Sequence, residues 1–146
     1  MTIHRPTYET AEHLAAEAKV AVEIGRRWQC EAVKLPVQYR VDYALVRAGA
    51  VVSWMEVKAR SVSMRQIAGW GGYLLSLAKW TAGAELIRGT GRPFTLAVHA
   101  TDGLFAAVVT EPGTPGVHIG GRRDRADWQD REPVVLIPVE TFRRLR

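Results

Sequence analysis

The fold is decided by two stretches, YRVDYALV at residues 39–46 and VSWMEVK at residues 52–58. Both are rich in valine, tyrosine, leucine and tryptophan, which favour extended strands. We therefore predict strands over Val37 to Arg47 and Val51 to Arg60, joined by a turn at Arg47-Ala48-Gly49-Ala50. Side chains alternate between the two faces of a strand, so each charged residue of this hairpin can be assigned to a face.

Asp42, Glu56 and Lys58 are predicted to share one face of the hairpin. Glu56 and Lys58 stand two residues apart on the second strand. If the loop has three residues, either Arg47 to Gly49 or Ala48 to Ala50, Asp42 falls on the same face, diagonal to Glu56 or directly opposite it. A two-residue loop would place Asp42 on the other face, because a one-residue shift in register reverses every side chain.

Charged groups at these positions need compensation, because the hairpin is otherwise largely apolar. Its remaining residues divide into Ala44, Val46, Val52 and Trp54 on the face of Asp42, and Val41, Tyr43, Leu45, Met55 and Val57 on the other. Burying an ion costs on the order of several kcal/mol, and two neighbouring carboxylates raise each other's pKa. A divalent cation that prefers hard oxygen ligands, Mg²⁺ or Mn²⁺, removes both costs. A structural ion pair between Asp42 and Lys58 is the alternative, but it leaves Glu56 uncompensated.

Lys58 has two possible chemical roles in such a site. As an ammonium it would stabilise the negative charge that develops on a phosphate during hydrolysis. With a lowered pKa it would instead help to deprotonate the attacking water.

The remaining sequence predicts helices and strands around this hairpin. Apolar periodicity predicts one helix from about Thr7 to Trp28, and a second over Gly72 to Arg88 inside a helical region that begins near Met64. Further predictions are strands over Phe94 to Ala100 and Leu104 to Thr110 around an Asp102-Gly103 turn, a loop over Glu111 to Gly121, a strand over Val134 to Val139 and a helical turn over Glu140 to Arg146. This order favours an α/β fold with a mixed central β-sheet flanked by helices. With 146 residues and no repeat or linker, we expect a single domain over 1–146.

Glu17 lies on the first predicted helix, next to its apolar stripe. Helical spacing assigns to that stripe Leu14, Ala18, Ala21, Val22, Gly25 and Trp28. At about 100° per residue, Glu17 falls at the edge of the stripe, beside Ala21 and Trp28. It is either a helix-edge residue in contact with solvent or an acid directed towards the hairpin.

Composition and charge exclude several classes of protein. The formal net charge is +5, and sixteen of the 20 basic residues are arginine, whose guanidinium binds phosphate oxygens in pairs. This balance predicts a polyanionic partner, although the base composition of a GC-rich genome would also enrich arginine. No apolar run approaches the ~20 residues that span a bilayer, and no signal peptide is evident, so we expect a cytoplasmic protein. Cys30 is the only cysteine, which excludes an internal disulfide and a thiolate metal cluster.

The hairpin motif resembles that of a known nuclease family. Asp42, followed by Glu56-Val57-Lys58 on the second strand of a hairpin, is similar to the signature of the PD-(D/E)XK nuclease superfamily, and most similar to its small phage-type or resolvase-like members. That superfamily places a glutamate-bearing helix before the hairpin, where Glu17 lies, and another helix after it. The resemblance spans about the first two-thirds of the chain. Val41 departs from the pattern, which has proline before the aspartate.

The resemblance implies a restriction-endonuclease-like core and a Mg²⁺- or Mn²⁺-dependent nuclease that hydrolyses DNA phosphodiester bonds. It implies Asp42 and Glu56 as metal ligands, Glu17 as an auxiliary ligand and Lys58 as a catalytic residue. We expect a structure-selective endonuclease, encoded by a phage or its bacterial host, that forms a homodimer. The alternatives are a non-catalytic nucleic-acid-binding or interaction protein that keeps this fold, and a nuclease-like toxin or packaging accessory protein.

Five further residues are candidates for contacts with nucleic acid: Arg60, Gln66, Lys79, Arg122 and Arg125. A solvated helix lysine is the other interpretation of Lys79, and an exposed helix start is the other interpretation of Gln66. The segment Gly120 to Glu132 contains four arginines, three aspartates and one glutamate. It either clamps phosphate or a partner subunit, or forms a surface loop that pairs its own charges.

Overall fold

Helices and strands alternate along the chain in the computed structural model, which describes residues 11–121 and 131–146. Within these ranges, helices α1 to α3 comprise Ala11–Arg27, Met64–Gly69 and Leu77–Thr90. Strands β1 to β9 comprise Glu31–Lys34, Tyr43–Arg47, Ala50–Ala59, Tyr73–Ser76, Phe94–Ala100, Gly103–Val109, Val117–Gly121, Arg131–Ile137 and Phe142–Arg144. Two short 3-10 turns occur at Val37–Tyr39 and Val139–Thr141.

The larger sheet has six strands in the order β1-β2-β3-β5-β6-β9. Strands β3 and β5 are parallel, and the other neighbouring pairs are antiparallel. The parallel pair requires a crossover connection, which α2, β4 and α3 provide. A second sheet has three strands in the order β4-β8-β7. The predicted α/β architecture, a mixed sheet flanked by helices, is confirmed.

The central strands bury side chains on both faces of the larger sheet. On one face α1 packs through Val20, Ala21 and Ile24 against Tyr43, Leu45, Met55 and Val57. On the other face α2, α3 and the second sheet cover Ala44, Trp54, Leu96 and Val98. Because β3 lies between covered faces, its sequence is mostly apolar. The charged residues Glu56 and Lys58 interrupt that pattern.

The buried stripe of α1 differs from the predicted one. Leu14 and Val22 are 43% and 46% exposed, whereas Val20 and Ile24 are buried. The helix is therefore rotated about its axis relative to the prediction, so that its larger aliphatic side chains reach the sheet. In this orientation Glu17, which is half-buried, shares the packed face with Ala21 and Ile24 at spacings of four and seven residues.

The β2–β3 hairpin turns through two residues and not through the predicted three. Arg47 pairs with Ala50, and Ala48 and Gly49 have φ angles of 51° and 77°, as in the tight turns favoured by twisted hairpins. A β-bulge follows, because Leu45 pairs with Ser53 while Val46 pairs with Val51. Because Val52 is an extra residue on β3, the pairing beyond the bulge is the one that a three-residue loop would have given. It also turns Val52 itself towards α1, opposite to its predicted face.

Three short strands occur where the sequence predicts other structure. Residues 73–76 form β4 and not the start of a helix, residues 117–121 form β7 and not a loop, and residues 142–144 form β9 and not a helical turn. The second hairpin turns at Thr101-Asp102, with Gly103 already paired to Ala100. Strands β4 and β9 are held by partners distant in sequence, β8 and β6, whereas β7 pairs with β8, the next strand along the chain. Local patterns therefore carry little information about them.

Helix α3 lies unusually close to β5 because it contains glycine at position 83. A Cβ atom at Gly83 would lie 2.7 Å from the ring of Phe94. The C-terminal end of α3 is bonded to β3, since the Trp54 Nε1–H donates to Thr90 Oγ1 at 3.0 Å. This close packing brings the first turn of α3, which carries Lys79, against the charged face of β3. Among the described residues, no helix is long and apolar enough to cross a membrane.

Candidate active site

Asp42 immediately precedes β2 and faces β3. Tyr43 pairs with Met55, so the next position in the same register sets Asp42 opposite Glu56. Its Oδ2 accepts the backbone N–H of Val57 at 2.9 Å, and its Oδ1 lies 3.7 Å from the ammonium of Lys34. The backbone of β3 therefore holds the Asp42 carboxylate beside the Val57 peptide.

Glu56 lies at the centre of the larger sheet, between β2 and β5. Its side chain is 0% exposed, and neither carboxylate oxygen has a hydrogen-bond partner of good geometry. Two ammonium groups compensate the charge instead, since Lys58 Nζ and Lys79 Nζ each lie 3.2 Å from Oε2. Both ammonium groups lie against Oε2, while Oε1 is buried with no hydrogen-bond partner, so the carboxylate retains unused acceptor capacity.

The electrostatics of the site favour a protonated Lys58. Burial raises the pKa of Glu56 most, Asp42 raises it further, and the ammonium groups of Lys58 and Lys79 lower it, with a net increase. Burial lowers the pKa of Lys58, but the charges of Glu56, Tyr73 and Asp42 outweigh that effect and raise it. Of the two roles predicted for Lys58, this arrangement supports the ammonium and not the base with a lowered pKa.

Lys79 enters this site from α3. Besides contacting Glu56, its ammonium donates to the backbone carbonyl of Arg40 at 2.7 Å. Arg40 has a left-handed conformation, with φ 61°, and stands two residues before Asp42. Lys79 thus connects α3, the segment that carries Asp42 and the central carboxylate. Sequence alone left Lys79 as either a phosphate contact or a solvated helix lysine.

Tyr73 is a site residue that the sequence reasoning missed. Its side chain is 2% exposed and its hydroxyl has no hydrogen-bond partner. Burial raises the pKa of Tyr73, the positive charges of Arg60 and Lys58 lower it, and Glu56 raises it, with a net increase. The Arg60 guanidinium lies 5.2 Å from the centre of the Tyr73 ring. Tyr73 was hidden because 73–76 was assigned to a helix, and no local signal places it beside β3.

Glu17 is half-buried on α1 and interacts electrostatically with Tyr43 of β2. Helix α1 covers the face of the sheet opposite to Glu56, and Glu17 is near Tyr43, whose pKa it helps to raise after burial and Asp42. Within residues 11–121 and 131–146, no group of three or more His, Cys, Asp or Glu side chains is arranged to hold a metal ion. After burial, Asp42 is the acid that raises the pKa of Glu56, so these two carboxyl groups interact.

The other residues predicted to contact nucleic acid lie in different parts of the chain. Gln66 is the third residue of α2, and its side-chain oxygen accepts the N–H of Ser63 at 2.8 Å in a capping box, which is the helix-start role foreseen as its alternative. Arg60 extends the row of Glu56 and Lys58 at the end of β3. Arg122 and Arg125 lie outside the described residues, as does most of the charged segment to which they belong.

The donor set fits a small divalent cation. Mg²⁺ is commonly held by one or two carboxylates, with waters and substrate phosphate completing its shell. Asp42 and Glu56 supply two carboxylates from neighbouring segments of the hairpin, and both Glu56 oxygens are buried. An ammonium from Lys79 stands where a cation would be attracted, between the Glu56 carboxylate and the Arg40 carbonyl.

The mixed sheet, the flanking helices and the acid pair beside Lys58 define the restriction-endonuclease-like fold of the PD-(D/E)XK nucleases. The sequence model of the family described as "Phage putative PDDEXK endonuclease" matches residues 3–145 of the chain. The chain therefore belongs to this phage-type PD-(D/E)XK family. No curated protein sequence matches it.

Proposed function

We propose that the protein is a divalent-metal-dependent deoxyribonuclease, and that it acts as an endonuclease selective for DNA structure. The observation that carries this proposal is the register that sets Asp42 beside Glu56 across the hairpin, with the Lys58 ammonium 3.2 Å from Glu56 Oε2. Family membership supports nuclease activity in general. The small size of the chain supports selection of DNA structure over coupling to a motor.

Asp42 and Glu56 would hold the cation, which is Mg²⁺ or Mn²⁺ in this proposal. When bound, such a cation supplies Lewis acidity to the phosphoryl group and lowers the pKa of a bound water. Asp42 is oriented for this role by its bond from Val57 N–H, which leaves Oδ1 directed away from the β3 backbone. Glu17 is kept as a proposed auxiliary ligand, although in this arrangement it lies near Tyr43.

Lys58 would stabilise the charge that builds up on the scissile phosphate. Its side chain is 27% exposed, so the ammonium lies between the buried carboxylate and solvent. A fixed positive charge in a partly buried site is worth more to a developing anion than the same charge in water. The raised pKa of Lys58 supports the charged form.

Contacts with the DNA backbone would come from the basic residues around the pocket. Arg60 immediately follows β3, two residues beyond Lys58, and the formal net charge of +5 favours a polyanion. Arg122 and Arg125 remain proposed contacts, and a homodimer and a host-cell cytoplasmic location remain part of the proposal.

The test is a cleavage assay with Mg²⁺, Mn²⁺ or EDTA on linear, nicked, single-stranded and branched DNA, with duplex RNA included. The variants are Asp42→Asn and Lys58→Ala, with Lys19→Ala on the exposed side of α1 as the matched control. We expect metal-dependent cutting by the wild type and the control, highest on one branched or nicked substrate, and none by the two site variants. Binding without cleavage on every substrate would contradict the proposal and favour a non-catalytic nucleic-acid-binding protein.

A further inference from the structure

The Glu56 carboxylate is buried and in contact with the ammonium groups of two lysines. Both of its oxygens expose less than 1 Å². Lys58 and Lys79 each place an ammonium 3.2 Å from Oε2, while their own side chains remain 27% and 30% exposed. A cation that binds Glu56 through Oε2 therefore competes with these two ammonium groups for the same oxygen.

Lys79 is the lysine better placed to move. Lys58 belongs to the same central strand as Glu56, two residues further along it. Lys79 instead reaches in from the first turn of α3, where a positive charge opposes the positive end of the helix dipole. That turn contains no acidic residue. The position of the Lys79 ammonium is thus unfavourable within its own helix and depends on contacts outside it.

Those contacts resemble the ligands of a metal ion. The ammonium contacts Glu56 Oε2 at 3.2 Å and donates to the Arg40 carbonyl at 2.7 Å. A carboxylate and a backbone carbonyl are oxygen ligands of the kind that hard divalent cations take. Because Arg40 stands two residues before Asp42, the same ammonium also connects the segment carrying Asp42 to Glu56.

We propose that the Lys79 ammonium closes the Glu56 carboxylate while no divalent cation is bound, and that a divalent cation enters by displacing Lys79. The inference rests on the proposed function, because it takes Glu56 as a metal ligand. Once displaced, Lys79 is repelled by the bound cation, by Lys58 and by the N-terminal end of α3. Its partly exposed side chain turns towards solvent at the mouth of the pocket, where substrate phosphate would be met.

The first test is calorimetric titration with Mn²⁺ at mildly alkaline pH. It compares the wild type with Lys79→Met, which keeps an unbranched side chain without charge, and with Lys19→Met as the surface control. We expect Lys79→Met to bind Mn²⁺ about tenfold more tightly than the wild type, because no ammonium competes for Glu56. Lys19→Met should match the wild type. Equal or weaker binding by Lys79→Met would overturn the proposal.

Melting temperatures separate displacement from a merely structural role. In EDTA, Lys79→Met should melt below the wild type, because Glu56 loses one of its two compensating charges. In saturating Mn²⁺ that difference should vanish, since the cation replaces the ammonium. A deficit that persists in Mn²⁺ would mean that Lys79 acts only as a link between α3 and Arg40, and would contradict the proposal.

A second measurement uses the wild type alone, so it does not depend on how a variant folds. Lysine acetylation by an amine-reactive reagent is followed by peptide mass spectrometry, with Lys19 as the internal reference. Mn²⁺ should accelerate the modification of Lys79 and leave Lys19 unchanged; an unchanged rate at Lys79 would overturn the proposal. If the wild type cleaves DNA but these results fail, displacement is wrong and the proposed function stands. If Lys79→Met gains Mn²⁺ affinity but no cleavage occurs, displacement stands and the nuclease proposal falls.

Discussion

The two faces of β3 differ in chemistry although their residues alternate along one strand. Met55 and Val57 face α1 and are completely buried among apolar neighbours. Glu56 and Lys58 face α3 and form a buried charge cluster whose central carboxylate has no well-formed hydrogen bond. One face therefore contributes ordinary hydrophobic stabilisation, while the other holds charges that cost free energy to bury.

The presence of this charge cluster is not explained by a contribution to the stability of the fold. A buried ion pair is often no more stabilising than apolar residues of similar volume. Glu56, Lys58 and Lys79 also sit where α3 approaches the sheet, a region that could have been packed with aliphatic side chains. We infer that the cluster is retained for chemistry. The following predictions test whether substitutions on one face of β3 change mainly activity and those on the other face change mainly stability.

The largest expected effect is on catalysis, from changing Glu56. Glu56→Gln removes the central charge while keeping the side-chain volume, and should lower the cleavage rate on the order of 10³-fold, as when a preorganised charged group is lost. Because the two lysines are partly exposed and can become hydrated, the free energy of unfolding should change by only about 1 kcal/mol or less. Cleavage assays and urea unfolding measure the two quantities. A destabilised but still active variant would contradict the separation.

The largest expected effect on stability comes from the neighbouring residue. Met55→Ala leaves a cavity on the α1 face and should reduce the free energy of unfolding by about 2–5 kcal/mol. At temperatures where the variant stays folded, its cleavage rate should remain close to that of the wild type. Urea unfolding gives the first value and single-turnover cleavage the second. Loss of cleavage in the folded variant would show that the α1 face also belongs to the site.

A smaller effect is expected where α3 touches the sheet. Gly83→Ala inserts a methyl group against the Phe94 ring and should destabilise the protein by about 1–3 kcal/mol through overpacking. Gly89→Ala on the same helix is the matched control, because a Cβ there meets nothing within 4 Å. It should stabilise the protein by about 0.5–1 kcal/mol through helix propensity. Thermal and urea unfolding should report opposite signs; equal signs would mean that α3 is not closely packed on β5.

The smallest expected effect is a pH dependence of stability that comes from Asp102, away from both faces of β3. Asp102 accepts the backbone N–H of Met64 at 2.8 Å at the start of α2. This bond, ahead of the opposing effect of burial, lowers the pKa of Asp102 from its ordinary value of 3.8. The folded state therefore favours the carboxylate, and its stabilisation is present above that ordinary value and lost as the pH falls through the folded-state pKa.

The corresponding variant is Asp102→Asn, which keeps the shape but cannot ionise. Urea unfolding should give a lower stability for it than for the wild type at neutral pH, with the two values converging below about pH 4. A difference that stays constant down to acidic pH would mean that the charge of Asp102 does not stabilise α2.

The sequence predicted the parts of the site that depend on strand alternation. Glu56 and Lys58 share a face because they are two residues apart on one strand. The register sets Asp42 next to Glu56 across the hairpin, but through a two-residue turn compensated by a bulge at Val52, which no local rule anticipates. The predicted order of the main elements is confirmed, while the short strands at residues 73–76 and 142–144 were missed because their pairing partners are remote. The strand at residues 117–121 was missed because glycine and proline are frequent in residues 111–121.

The other parts of the site depend on tertiary packing. Lys79 reaches Glu56 because of how closely α3 lies on β5, and Tyr73 reaches Lys58 because β4 belongs to a second sheet. Helix rotation placed Glu17 on the packed face of α1 but near Tyr43. Interhelical angles, rotations and sheet packing are not encoded in residue spacing, so these positions could be proposed from the sequence but not assigned.

The central claim is that Asp42 and Glu56 together bind a divalent cation, and its most direct test is a crystal structure of the protein with Mn²⁺. Anomalous scattering locates the ion independently of any assumption about its ligands. We expect one strong peak within about 2.5 Å of a carboxylate oxygen of each residue, and no peak in crystals of Glu56→Gln. A Mn²⁺ ion bound elsewhere, in crystals of protein that cleaves DNA, would contradict the account.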